Sequence, residues 1–256
     1  MLHGHQQRPD DASTVRIMTW NIHSGIGSDG RRDLARVVDV VRSQQPDIVA
    51  LQEVDSRRAA RELRGAFEYL AEELGVHAAS SRLITAPDGQ YGHMLISRWP
   101  LFDTRYHDIS VSKREPRAAI ETMVTTPYGP VHLIATHLGL SLRERRHQAQ
   151  RIAAVAGRGP RQTVVLGDFN DWIRRGSVQR CLASLMAART HHKTFPAKLP
   201  LLALDRIYCR TADMLVHSRT VNDAWRASDH LPVIADISLR NRLGPAPADQ
   251  TFRAFS

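Results

Sequence analysis

Apolar residues recur along this chain in two periods. Short dense runs flanked by turn residues predict β-strands at 15–22, 47–51, 91–98, 104–110, 118–126, 131–136, 163–166, 204–209, 214–217 and 233–239. Leu34, Val37, Val38 and Val41 fall at helical spacing and predict a helix over 33–43, stopped by Pro46. A second amphipathic helix is predicted over 56–74, ended by Gly75, and a third over 142–156. Arg57, Arg61 and Arg64 share one side of the second helix, which reads as a solvated face. The strands between 91 and 136 are joined by tight turns such as Pro127-Tyr128-Gly129-Pro130, a spacing that favours antiparallel pairing over crossover helices. Helices around mainly antiparallel strands predict an α+β fold, a four-layer αββα sandwich with two sheets face to face and helices outside.

The ends of the chain lack this patterning. Residues 1–13 read as a flexible arm and 241–256 as a loose tail. No linker or repeat interrupts 14–240, so one domain is expected there. Composition adds exclusions. At 42% hydrophobic and 24% charged residues the chain is neither disordered nor a disulfide miniprotein. The longest apolar stretch, 199–204, is too short to span a bilayer and contains Pro200, so no transmembrane segment is expected. The N-terminus has no apolar signal region. Cys181 and Cys209 form no CxxC pair, which argues against a zinc ribbon or redox motif and suits a reducing compartment. A cytoplasmic monomer is the resulting expectation.

Charge points to a partner class. The net charge is +9, and only Lys113, Lys193 and Lys198 among the 35 basic residues are lysines. Arginine suits flat bidentate anions such as phosphate, and a basic surface attracts nucleic acid or acidic lipid alike. An arginine-rich genome would write the same excess. Trp99, Trp172 and Trp225 suit contact with bases or lipid, though buried core is the ordinary place for tryptophan.

The predicted strands end in polar, acid-bearing segments, where a rigid scaffold concentrates functional groups. Strand 15–22 delivers Asn21, strand 47–51 delivers Gln52-Glu53, strand 131–136 delivers His137, and strand 163–166 delivers Gly167-Asp168-Phe169-Asn170. Asp205 follows Leu204, and Ser228-Asp229-His230 precedes the last strand. Taken in order, MTWNIH, ALQEVD, YGHMLISRWP, ATHLG, VLGDFND, LDRIY and SDHLPV resemble the endonuclease/exonuclease/phosphatase superfamily, the DNase I-like metal-dependent phosphoesterases, in a compact bacterial form. The resemblance covers about residues 14 to 240 and implies the same αββα fold.

A phosphodiester repels an attacking hydroxide, so such a site must supply positive charge and an activated water. The resemblance implies Mg²⁺ or Mn²⁺ held by Glu53, with Asn21 supporting the ion or its carboxylate and Asp229 as a second metal-side acid. It makes Asp168 the group that orients or deprotonates water, and Asn170 a phosphate donor. His137 and His230 would flank the phosphate, with Asp205 orienting His230; either Asp168 or His230 is the base. His23, where relatives carry an acid or amide, and Arg117 are candidate phosphate contacts; for Arg114 and Arg117 a charged turn is the competing reading. His93 stands where relatives carry asparagine. Gly25, Gly27 and Gly30 match GxGxxG, but the antiparallel run after Tyr91 argues against a dinucleotide fold and for a flexible loop at the site's mouth. The expected activity is a metal-dependent phosphodiesterase with a nuclease-like substrate favoured by charge. A lipid-headgroup phosphodiesterase or a phosphatase is the alternative. A non-catalytic phosphate-binding protein is disfavoured because Glu53, Asp168, Asn170 and His230 are all present.

Overall fold

A computed structural model describes residues 13–57, 65–173 and 176–239. In chain order the elements are β1 (Thr14–Asn21), α1 (Leu34–Gln44), β2 (Ile48–Asp55), α2 (Ala66–Leu74), β3 (His77–Ala86), β4 (Gly89–Ser97), β5 (Leu101–Asp108), β6 (Ala118–Thr126), β7 (Gly129–His137), α3 (Leu142–Arg158), β8 (Thr163–Asp168), α4 (Ser177–Leu182), β9 (Ala188–Arg189), β10 (Asp205–Cys209), β11 (Leu215–Thr220) and β12 (Val233–Ser238). They form two six-stranded sheets, in the orders β11-β12-β1-β2-β4-β3 and β5-β6-β7-β8-β10-β9. Each sheet is antiparallel except at its centre, where β1 pairs parallel with β2 and β7 with β8. A helix makes each parallel crossover, α1 in the first sheet and α3 in the second.

Three apolar layers hold this stack together. Val15, Ile17, Ile48, Leu133, Val164 and Ile237 are among the residues packed between the sheets. Met18, Trp20, Val49 and Leu51 pack outward beneath Val37, Val41, Phe67 and Leu70 of α1 and α2. Ile134, Val165 and Tyr208 pack outward beneath Ile152 of α3 and Val178 and Leu182 of α4. Central strands are therefore covered on both faces, and their sequences are apolar at nearly every position. The predicted four-layer αββα sandwich is the observed architecture.

Local sequence explains most boundaries. Asp33 caps α1 by accepting the Ala35 N–H, and the helix ends at Gln45, in the left-handed region just before Pro46. Several expectations need correction. The helix predicted over 56–74 is observed over Ala66–Leu74. Arg57 is not on a solvated face: its guanidinium reaches both carboxylate oxygens of Asp55, at 3.0 and 2.9 Å, and lies 4.7 Å above the Tyr91 ring centroid. Arg61 and Arg64 lie outside the described residues, as do the predicted arm (except Ser13) and tail. Strand β3 was not foreseen, because this edge strand buries little beyond Ala79 and Ser81 and shows no apolar alternation. Helix α4 and the two-residue β9 are too short to leave a periodic signal. The glycine-rich loop is pinned rather than flexible: Ser28 N–H donates to Trp225 O at 3.1 Å, and a Cβ on Gly27 would lie 1.8 Å from Arg226 O. Trp99 and Trp225 pack against the core, but Trp172 does not; it is 48% exposed.

Candidate active site

The parallel pairs bring functional side chains to one end of both sheets. The ladder aligns Asn21 with Gln52 in the first sheet and His137 with Asp168 in the second. Asn21 spans the two: its Nδ2 donates to Glu53 Oε1 at 2.9 Å and to Asp168 Oδ2 at 3.0 Å. Its own oxygen accepts the His23 N–H at 3.0 Å, so the amide is turned with NH₂ toward the carboxylates.

Glu53 reaches this position through a bulge. Leu51 and Val54 both pack in the layer under α1 and α2, and the β2–β4 register shifts between them. Gln52 and Glu53 therefore both turn to the inner side, where strict alternation would send Glu53 outward. Gln52 stays buried and donates to Thr19 Oγ1, leaving Glu53 as the carboxylate at the mouth. The bulge holds Glu53 at φ +55°, and Asn170 sits at φ +49°. With His23 and Ser24, these make four of the seven described non-glycine residues at positive φ. Each such residue costs of order 1–3 kcal/mol, a strain that concentrates at functional positions.

Asp168 lies at the centre, 1% exposed. Asn170 N–H donates to its Oδ1 at 2.8 Å, while Asn170 Nδ2 donates to Leu138 O at 2.8 Å and lies 3.4 Å from His137 Nε2. His137 Nε2 is 3.6 Å and His230 Nε2 4.0 Å from Asp168 Oδ2. Gly167 permits this close packing of β7 on β8: at φ +147° its Cβ would stand 1.9 Å from Thr136 O. His230 is fixed from several sides. Its Nδ1 lies 2.8 Å from Asp205 Oδ2, and its N–H donates to Ser228 Oγ at 3.1 Å. Ser228 in turn donates to Asn21 O, and Trp20 Nε1 donates to His230 O.

Burial and charge divide the two histidines. Burial opposes a proton on His230, but the Asp205 charge and hydrogen bond, helped by Asp168 and Asp229, push it up to about 10. Burial pushes His137 well below its ordinary value, aided by Arg117, His93 and His230. Burial also raises Asp168 to about 6, together with the Asp205 charge and against His230, Asn21 and Asn170. Near neutrality the pocket thus holds a cationic His230, a neutral His137 and an Asp168 poised to exchange a proton.

The remaining predicted residues occupy the margins. Asp229 Oδ1 lies 3.6 Å from His23 Nδ1, which is also 3.3 Å from Ile26 O. Arg117 is no exposed turn residue. It is 6% exposed, with one guanidinium nitrogen 2.5 Å from Glu115 Oε1. Arg114, three residues earlier, is exposed. Two neighbours were not picked out as site residues. His93 is buried, held down to about 3 by burial and the Arg117 charge, and its ring nitrogens meet no hydrogen-bond partner among the described residues. Tyr91 is raised by burial and by Glu53 while hydrogen-bonded to Arg117. An unusual histidine in YGHMLIS was the available signal.

The sequence model of the endonuclease/exonuclease/phosphatase family matches residues 18–230, a span that contains every one of these groups. The chain belongs to this family. Its members are hydrolases of phosphoester bonds, and this chain is one of them. The uncharacterised protein YbhP of Escherichia coli is 32% identical over 246 positions, covering 88% of this chain and 97% of YbhP. Solved structures share the fold. An endonuclease/exonuclease/phosphatase protein from Beutenbergia cavernae aligns with a TM-score of 0.68 at 21% identity, covering 88% of this chain and 72% of that one. The human Nocturnin catalytic domain aligns at 0.63 and 18%, covering 88% and 93%.

The donor set also bears on the metal that such enzymes use. Asp168, Asp205 and His230 place ligand-type atoms within 4.8 Å of one another. Yet Asp205 and His230 are bonded to each other, and a protonated imidazole does not ligate a cation. The Glu53 side differs: one neutral amide nitrogen, Asn21 Nδ2, bridges the Glu53 and Asp168 carboxylates, which gathers hard anionic oxygen atoms at one place. That chemistry fits Mg²⁺ or Mn²⁺.

Proposed function

We propose that this protein is a Mg²⁺- or Mn²⁺-dependent phosphodiesterase that hydrolyses its substrate by in-line attack of water. The observation that carries the reading is the setting of Asp168: buried, raised to about 6, and within 4.0 Å of an amide and two histidines from separate strands and loops. Glu53 would hold the cation, with Asp229 as a further acid at the margin. A bound cation neutralises phosphate charge and lowers the pKa of water.

The protein's own groups divide the remaining work. Asn21 orients Glu53 and Asp168 toward each other. Asp168, near its neutral-range pKa, takes a proton from water, a role worth about 10² to 10⁴ in rate. Cationic His230 donates from Nε2 to a phosphate oxygen, and Asp205 keeps it charged and aimed. Asn170 locks the loop after β8 and presents its amide beside His137, which lines the opposite wall as a neutral ring. Buried Arg117 supplies positive charge behind His137, and half-exposed His23 a polar ring at the rim.

Hydrolysis of an aryl phosphodiester by the full-length protein tests this reading. Turnover should require Mg²⁺ or Mn²⁺, stop with EDTA, and fall at least about 10²-fold in Asp168→Ala and His230→Ala. Undiminished turnover in either variant refutes the assignment of roles, and activity on monoesters alone refutes the diesterase reading.

A further inference from the structure

Among the described residues, eleven large hydrophobic side chains stand exposed, and six of them sit on, or in the case of Leu142 at the helix start just after, three loops around the site. Leu140 and Leu142 lie just past His137, Trp172 and Ile173 just past Asn170, and Leu199 and Leu201 on the hairpin between β9 and β10. The other five, Val76, Phe102, Tyr106, Tyr128 and Val216, are scattered over edge strands and turns.

These loops are held in place rather than trailing in solvent. Arg145 donates to Leu140 O and lies 4.3 Å above the Trp172 ring, tying the first two loops together. The third is anchored at His230 and Asp229. Phe195 packs 4.9 Å from the His230 ring, and Ala197 N–H donates to Asp229 O at 2.7 Å. Leu201 N–H donates back to Phe195 O and closes the hairpin.

A cation accompanies each apolar pair. Arg143 follows Leu142, Lys198 precedes Leu199, and in the sequence Trp172-Ile173 continues into Arg174-Arg175. Arg143 and Lys198 are exposed. Bulky apolar residues interleaved with cations match an interface that is apolar within and anionic at its surface. Nucleic acid meets only part of this pattern. It offers phosphates to the cations and a stacking partner to Trp172, but nothing for the exposed leucines.

We propose that this rim docks onto an anionic lipid bilayer and presents the site to the phosphodiester of a phospholipid headgroup. The docking stands on the rim alone, whereas the headgroup substrate rests on the phosphodiesterase reading above.

The test floats the full-length protein with phosphatidylcholine vesicles, with and without phosphatidylglycerol. Binding should require phosphatidylglycerol, weaken with salt, and shift the Trp172 emission to the blue, a change absent in Trp172→Phe. A variant carrying Leu140→Gln, Leu142→Gln, Leu199→Gln and Leu201→Gln should lose about tenfold or more in vesicle partition. It should keep wild-type turnover of the soluble aryl diester, which also shows that it folds. Asp168→Ala should bind vesicles like wild type but release no headgroup, so a failure of docking is distinguishable from a failure of catalysis. Absent vesicle binding, equal binding by the quadruple variant, or preference for single-stranded DNA over phosphatidylglycerol vesicles overturns the docking. Cleavage of the soluble diester without cleavage of any vesicle-borne diester overturns the headgroup assignment.

Discussion

Asp205 Oδ2 lies 2.8 Å from His230 Nδ1, with side-chain exposures of 0% and 8%, so a carboxylate that opens β10 sets the charge of a histidine 25 residues away. Converting Asp205 to Asn removes that charge while keeping the shape. His230 then loses its main support for a proton and titrates far lower. Activity that depends on cationic His230 should retreat to lower pH, with a rate loss near neutrality of about 10² or more. The pH profile of diester hydrolysis checks this; an unchanged alkaline limb contradicts it.

The same pair makes stability depend on pH. The folded protein holds the His230 proton to about 10, against about 6.5 for an unfolded histidine. The stabilisation is therefore complete below about pH 6.5 and is lost as pH rises toward 10. Urea midpoints across that window should fall for wild type and change much less for Asp205→Asn.

Asn21 holds both carboxylates through one nitrogen. Asn21→Ala should leave them to repel and drift apart. The Mg²⁺ concentration for half-maximal activity should rise about 10- to 100-fold, the usual cost of losing a residue that orients metal ligands. Asn21→Asp adds a third acid and should abolish turnover at neutral pH. Metal titrations of the initial rate measure both.

Gly167→Ala places a methyl group 1.9 Å from Thr136 O at a φ that L-residues avoid. The parallel β7–β8 pair must shift, at a cost of about 2–5 kcal/mol, from strain and overpacking together. Denaturant unfolding should show this loss, and His137 and Asp168 should lose their 3.6 Å spacing along with activity.

Arg16 and Asp236 pair between β1 and β12 at 2.8 and 3.2 Å, both nearly closed to solvent. Asp236→Ala strands a buried guanidinium and should cost about 3–5 kcal/mol, while replacing both partners with apolar residues should cost far less. A double-mutant cycle read by urea unfolding separates these outcomes.

Much of the fold was legible because central strands buried on both faces read as apolar runs, and because α1 and α3 carry clear helical stripes. The edge of the first sheet was not, since β3 has little to bury. The site was legible as a series of strand-end residues in a familiar order. Its second tier was harder to see. Arg117 resembled a charged turn, and the burial of Tyr91 and His93 comes from neighbouring strands rather than from local pattern.

Sequence by itself determined which groups are available: the acids, amides and histidines that end strands, and the alternation that packs four layers. Tertiary structure decided what they do. The β2 bulge turns Glu53 inward, parallel ladders set Asn21 beside Gln52 and His137 beside Asp168, and burial beside Asp205 or Arg117 leaves one of two chemically identical histidines cationic and the other neutral. The reason is physical. Charge state, donor direction and exposure depend on distances between segments remote along the chain, and only the folded molecule sets those distances.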